Sequence, residues 1–208
     1  MQKKDLCTWL KKALKEPLPG TEVQWEMASS DRRIKNFPRK ASPGSKPAAV
    51  LLLLYPLNET VHIVLIQRPL YNGVHSGQIS FPGGKMEEQD SDLTATALRE
   101  ACEETGFCNN NTEILGTLTP LYIPVSDFIV WPFVAWTAER PSFSPNREVV
   151  DLIEVPLEFF SDSSNIKEKP MKIRDELLDV RYYDYNGSVI WGATAMILHE
   201  LTVILENR

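Results

Sequence analysis

The chain has few cysteines, no long apolar run and no excess of basic charge. Cys7, Cys102 and Cys108 are too few for a disulfide scaffold and lack zinc-ligand spacing. A reducing compartment is the default for such a chain, and the cytoplasm is the expected location. No uninterrupted stretch approaches the roughly 18 apolar residues that a membrane-spanning helix requires. The first 14 residues carry lysines but no long apolar centre, which argues against a secretory signal. Their single acidic residue and lack of arginine argue against a transit peptide. The final Glu206-Asn207-Arg208 is not a peroxisomal address. Lys and Arg number 22 against 28 Asp and Glu, and the net charge of −6 argues against broad nucleic-acid affinity. Small anionic substrates stay open, because a few local cations reverse the field of a cleft. No internal repeat is visible.

What is present suits one domain with a sizeable core: 208 residues, 43% of them apolar. Leu6, Trp9, Leu10, Ala13 and Leu14 recur at helical spacing and predict an amphipathic helix over residues 3–15. Pro, Ser and Lys dominate residues 17–47, which read as an irregular surface arm. Strands are expected at 48–54 and 61–67, joined by a turn at 56–59, then at 112–119, 128–137, 148–155 and 180–185. Residues 161–170 read as a polar loop, and Asn186-Gly187 as a hairpin turn into a strand at 188–190. Helices are expected from Ser91 or Asp92 to Thr105, stopped by Gly106, and over 191–205. The class is α+β, a mixed β-sheet flanked by helices. Two parts are expected: residues 1–47 as a helix and arm packed on the domain, and residues 48–208 as the domain itself. The helix and arm are a candidate surface for a homodimer.

One segment carries chemistry. Gly83-Gly84 opens a turn that leads into a helix with Glu100, Glu103 and Glu104 near its end. Offsets of three and four place these carboxylates on one helical face, a turn apart. Like charges there repel, and acidic charge late in a helix opposes the macrodipole. A compensating cation resolves the conflict, and oxygen ligands favour a hard divalent ion such as Mg²⁺ or Mn²⁺. The ordinary alternative is a solvated acidic face.

The segment resembles the Nudix box, Gly-x5-Glu-x7-Arg-Glu-U-x-Glu-Glu-x-Gly-U with U aliphatic, through Gly84, Arg99, Glu100, Glu103, Glu104 and Gly106. It departs in having Asp90 for the first Glu, one extra residue between Gly84 and Arg99, and Ala101 and Phe107 at the U positions. Upstream, Leu65-Ile66-Gln67-Arg68-Pro69 and the run from His75 to Gly84 are similar to the extra motif of coenzyme A diphosphatases. That subgroup's Thr, Ser and second basic residue are replaced here by Ile66, Pro69 and Gly73. Arg147-Glu148-Val149, Val155-Pro156-Leu157 and the run from Ile190 to Ala195 extend the likeness, which covers about residues 48–200.

The resemblance implies an α/β/α sandwich and divalent-metal hydrolysis of a nucleoside diphosphate linked to another moiety. It makes Glu100 and Glu104 metal ligands, Glu103 a ligand or water-positioning base, and Gly84 a carbonyl donor. Asp90 is a further candidate, through water. Arg99 either grips a phosphate or pairs with Glu100 or Asp90 to fix the loop. Glu148 is a distal catalytic candidate, with an exposed loop carboxylate as the alternative. Arg68 faces substrate phosphates or ends a strand at the surface. His75 and Gln78, flanking Gly77, touch substrate or hold their loop. Tyr122, Phe128 and Trp131 line a nucleotide pocket or belong to the core. Cys102 is expected to be buried and unreactive. The leading expectation is a coenzyme A diphosphatase yielding 3′,5′-ADP and 4′-phosphopantetheine or its acyl form. Another Nudix substrate (ADP-ribose, NADH, a dinucleoside polyphosphate or a nucleoside triphosphate) is the first alternative. A non-catalytic binding module on the same fold is the second.

Overall fold

A computed structural model describes residues 3–31, 41, 43–71, 75–108, 112–173 and 175–208. The architecture grows from β1 (Lys46–Leu57), the most apolar run of the chain. Successive side chains of a strand point to opposite faces. Ala49, Leu51, Leu53 and Tyr55 enter one core, and Ala48, Leu52 and Leu54 enter another. A strand buried on both faces belongs at the centre of a sheet.

On one side β1 runs parallel to β7 (Phe128–Trp136). On the other its second half pairs antiparallel with β2 (Thr60–Gln67). Its first half pairs instead with β4 (Gly83–Lys85), where Val50 meets Gly83. So β4 replaces β2 beside β1, and the sheet splits at that point. β3 (Ile79–Ser80) and β8 (Asp151–Pro156) add to β2. β5 (Glu113–Thr117) and β6 (Leu121–Ile123) add to β7. The result is a mixed eight-stranded sheet.

A second, antiparallel sheet contains β9 (Ile166–Ile173), β10 (Glu176–Tyr185) and β11 (Ser188–Trp191). Asn186 and Gly187 both have positive φ, as a two-residue hairpin turn requires. Helices α1 (Lys3–Ala13), α2 (Thr21–Trp25) and α4 (Gly192–Glu206) share the core of Ala48, Leu52 and Leu54. Helix α3 (Leu93–Thr105) lies on the other face, its Ala97 and Ala101 against β1. This is the α+β sandwich expected. No helix among the described residues is long and apolar enough to cross a membrane.

Four sequence expectations need correction. The 17–47 arm contains the short helix α2, and its residues 32–40 lie outside those described. The polar loop expected at 161–170 is instead two short 3₁₀ turns followed by β9. Its polar sequence misleads because β9 pairs on one side only, with β10. β6 is an additional strand. Cys102 is half-buried rather than buried, and it is disulfide-bonded to Cys108 six residues on.

Candidate active site

The site forms where the sheet splits. Asp92 caps α3 by accepting from the Ala95 N–H at 2.8 Å. Gly106 ends the helix at φ 74°, its N–H donating to the Cys102 carbonyl. A side chain at Gly106 is excluded twice, by this left-handed backbone and by the nearby Ser144 backbone. Between these caps Ala97, Ala101 and Glu104 fall on the face turned to the sheet. Glu104 therefore sits buried, 3% exposed, at the mouth of the β1–β4 pair.

Glu104 accepts from the Gly83 N–H at 2.8 Å and lies 3.4 Å from Arg68 Nη2. Burial pushes its carboxyl up to about 7, against the pull of Arg68, and the charges of Glu100 and Glu148 add to the rise. Burial also raises Glu100, partly offset by Arg99. A side chain on Gly84 would stand 2.7 Å from Glu100 Oε2, so glycine there keeps the carboxylate's space open.

Arg99 is fully engaged. Its Nε and Nη2 donate to the two oxygens of Asp90 at 2.8 and 3.0 Å. Nη1 donates to Glu100 at 3.0 Å and Glu103 at 3.3 Å, and Nη2 also reaches the Lys85 carbonyl. Those are five acceptors for the five N–H donors of a guanidinium. Asp90 in turn accepts from the Glu87 N–H and the Thr96 hydroxyl, and Arg99 holds its carboxyl well below the usual range. The extra residue of the box is thus absorbed between an anchored Asp90 and the helix.

Arg68 does not simply end a strand. It donates to Ser80 Oγ and to the Gly83 carbonyl, both at 3.1 Å, besides facing Glu104. Nothing in the sequence marks Ser80 or the Gly83 N–H beyond their place in the upstream run. His75 Nδ1 and Gln78 Oε1 are 3.0 Å apart, so the two hold one another across the turn. Gly73 lies outside the described residues. Glu148 is exposed, but its segment is tied to the helix end by the Asn146 N–H bonding the Glu104 carbonyl at 3.2 Å. Tyr122 bonds Asp127, Phe128 lies beneath Lys46, and Trp131 packs against the α3-side core. These aromatics make structural contacts.

Among the described residues no three His, Cys, Asp or Glu side chains form a ready-made metal cluster. Glu100 and Glu103 turn to Arg99, and Glu104 turns to Arg68 and Gly83. The donor set still fits a hard divalent ion. It offers carboxylate oxygens on adjacent turns, with the Glu100 carboxylate beside Gly84.

Known proteins resemble this chain in sequence and in fold. A protein described as uncharacterized Nudix hydrolase NudL, from Pectobacterium atrosepticum, is 33% identical over 84% of this chain and 94% of its own length. Nudix hydrolase 22, chloroplastic, of Arabidopsis thaliana is 32% identical over 78% of this chain and 56% of its own. A Caenorhabditis elegans Ap4A hydrolase binary complex matches the fold with TM-score 0.52 and 17% identity, over 78% of this chain and 99% of that one. The Mycobacterium smegmatis Nudix hydrolase RenU matches with TM-score 0.51 and 18% identity, over 83% and 92%. A sequence model of the NUDIX domain spans residues 45–182, and the chain belongs to that family.

Proposed function

We propose that this Nudix hydrolase cleaves the pyrophosphate bond of coenzyme A or acyl-CoA, releasing 3′,5′-ADP and 4′-phosphopantetheine or its acyl form. The carrying observation is the bonding of Arg68, Ser80 and Gly83, all in the upstream segments that resemble the coenzyme A subgroup, to one another and to Glu104 of the box helix. The subgroup segments and the box thereby form one structural unit.

Glu100 and Glu104 would hold Mg²⁺ or Mn²⁺, with the Gly84 carbonyl beside them. A bound ion there neutralises phosphate oxygens and makes an attacking water more acidic. Glu103 is the exposed member of the triad, 54% accessible, and would face a water on letting go of Arg99, which bonds it at 3.3 Å. Glu148 is the second candidate base. Arg99 acts as a positioning residue. Arg68 would orient Glu104 and donate to a phosphate oxygen.

Another nucleoside diphosphate derivative is the second reading, because the box handles only the diphosphate. Retention of all three glutamates favours catalysis over a pure binding module. The test is product identification by mass spectrometry with Mg²⁺ or Mn²⁺ and a panel of CoA, acyl-CoA, ADP-ribose, NADH, diadenosine polyphosphates and nucleoside triphosphates. Fastest release of 3′,5′-ADP from CoA compounds is expected, and EDTA abolishes it. Faster turnover of another compound moves the assignment to that substrate.

A further inference from the structure

The last carbonyls of a helix have no partner within it. At the end of α3 the chain from 140 to 150 supplies partners. The Ser144 N–H donates to the Thr105 carbonyl at 2.8 Å, and the Asn146 N–H to the Glu104 carbonyl at 3.2 Å. Ahead of these contacts Arg140 grips Glu154 through bonds of 2.9 and 2.6 Å, and Phe143 packs edge to face against Tyr55. Beyond them Val149 is buried, and the Val150 N–H donates to the Gln67 carbonyl at 2.8 Å. Gln67 precedes Arg68, which faces Glu104. The segment is thus anchored at one end to Glu104 itself and at the other to the residue before its partner. Between Asn146 and Val149 lie two exposed residues, Arg147 and Glu148.

Asn146 shapes that short span with two acceptors. Its carbonyl accepts from the Val149 N–H at 3.2 Å and closes a four-residue turn. Its side-chain oxygen accepts from the Glu148 N–H at 2.7 Å, the bond of an Asx-turn. One residue therefore bonds Glu104 through its own N–H and Glu148 through its side chain. Glu148 stands near enough to Glu104 for its charge to be felt there. The Glu148 carboxylate makes no hydrogen bond or ion pair among the described residues. Glu103, by contrast, is bonded to Arg99. An unengaged carboxylate beside the box glutamates is suited to accept a proton.

We propose that Asn146 is a positioning residue that holds Glu148 in place as the proton acceptor for the attacking water. This role presupposes the hydrolysis proposed above. The water oxygen bonds to phosphorus as the bridging P–O bond breaks. The electron pair of that bond leaves on the departing phosphate, and the water proton passes to the Glu148 carboxylate.

The test is a double-mutant cycle of N146A, E148Q and N146A/E148Q. It is run with Mn²⁺ on whichever compound of the panel is turned over fastest. E148Q should lower kcat about a hundredfold, the loss of a general base. N146A should lower kcat about tenfold with KM within about twofold of native. The double variant should be no slower than E148Q alone, because Asn146 acts only through Glu148. A turn residue serving the fold alone would lower the melting temperature and leave kcat of the folded protein unchanged. Thermal melting accompanies the rates. Should N146A not fold, N146S replaces it in the cycle, because its shorter hydroxyl makes the same turn more weakly. Native kcat in folded N146A, native kcat in E148Q, or losses that multiply in the double variant overturn the proposal. Fastest turnover of a compound other than CoA or acyl-CoA removes the coenzyme A reading alone, and the cycle on that compound still decides the role of Asn146.

Discussion

At the scale of the residue, Glu104 combines burial with its proposed role as a metal ligand. It is held in a pocket that disfavours its charge, with Arg68 and the Gly83 N–H offsetting part of that cost. Glu104→Gln keeps the shape and removes the charged ligand. Turnover should fall about a hundredfold or more while the protein stays folded; near-native turnover in a folded variant sinks the ligand assignment. Asp90 acts one step further out. Asp90→Asn weakens the pair of hydrogen bonds that anchors Arg99, and with it the placing of Glu100 and Glu103 that Arg99 also holds. A loss of about 10–100-fold in Mn²⁺ affinity or turnover is expected, read by metal titration alongside rates. Unchanged Mn²⁺ affinity and turnover would mean that Arg99 is positioned by its other contacts. The three glutamates are legible in the sequence because helical periodicity fixes their spacing. The Arg68–Glu104 contact is not, because it depends on β4 displacing β2 beside β1, a long-range register that no local pattern encodes.

At the scale of the element, α3 is defined at both ends by sequence-visible signals, Asp92 and Gly106. Its covalent tether beyond Gly106 is less visible. Spacing alone leaves Cys102 and Cys108 unremarkable, yet the turn at Gly106 brings their Cα atoms to 4.6 Å. A bridge closing so short a loop contributes about 2 kcal/mol through the unfolded chain. Oxidised protein should therefore show Cys7 as its reactive thiol, and reduction should lower the melting temperature by about 5 °C. Mass spectrometry of alkylated protein and a melt with and without reductant read both effects. Three alkylated cysteines before reduction would remove the bridge. β9 is obscure in the sequence for a different reason. In Ile166–Ile173 the charged run Lys167-Glu168-Lys169 and Pro170 lie on a strand paired on one side, so polarity imitates a loop. The central strands β1 and β2, buried on both faces, announce themselves by continuous apolar runs.

At the scale of the whole molecule, one carboxylate joins three distant parts of the chain. Glu200 on α4 is completely buried. It accepts from the Gly20 N–H, Gln24 Nε2, the Thr119 N–H and the Thr119 hydroxyl. The N-terminal arm, the β5–β6 connection and the closing helix thus meet at a single side chain. The arm reads in sequence as an irregular surface segment because its buried polar group, Gln24, has no apolar periodicity to reveal it. Met27, buried in the same core as Leu10 of α1, shows that the segment is part of the fold. Glu200→Ala strands several buried donors at once, and each unmet group costs about 1–3 kcal/mol. Glu200→Gln keeps the volume and one acceptor oxygen, so its loss should be smaller. Urea unfolding should rank the three proteins native, Gln and Ala in falling stability. Catalytic constants measured below the unfolding range should stay close to native, because Glu200 lies on the face of the sheet opposite α3. A stable Ala variant would show that the arm is held by its apolar contacts alone. A folded variant with lost activity would show that the arm is coupled to the site through β1.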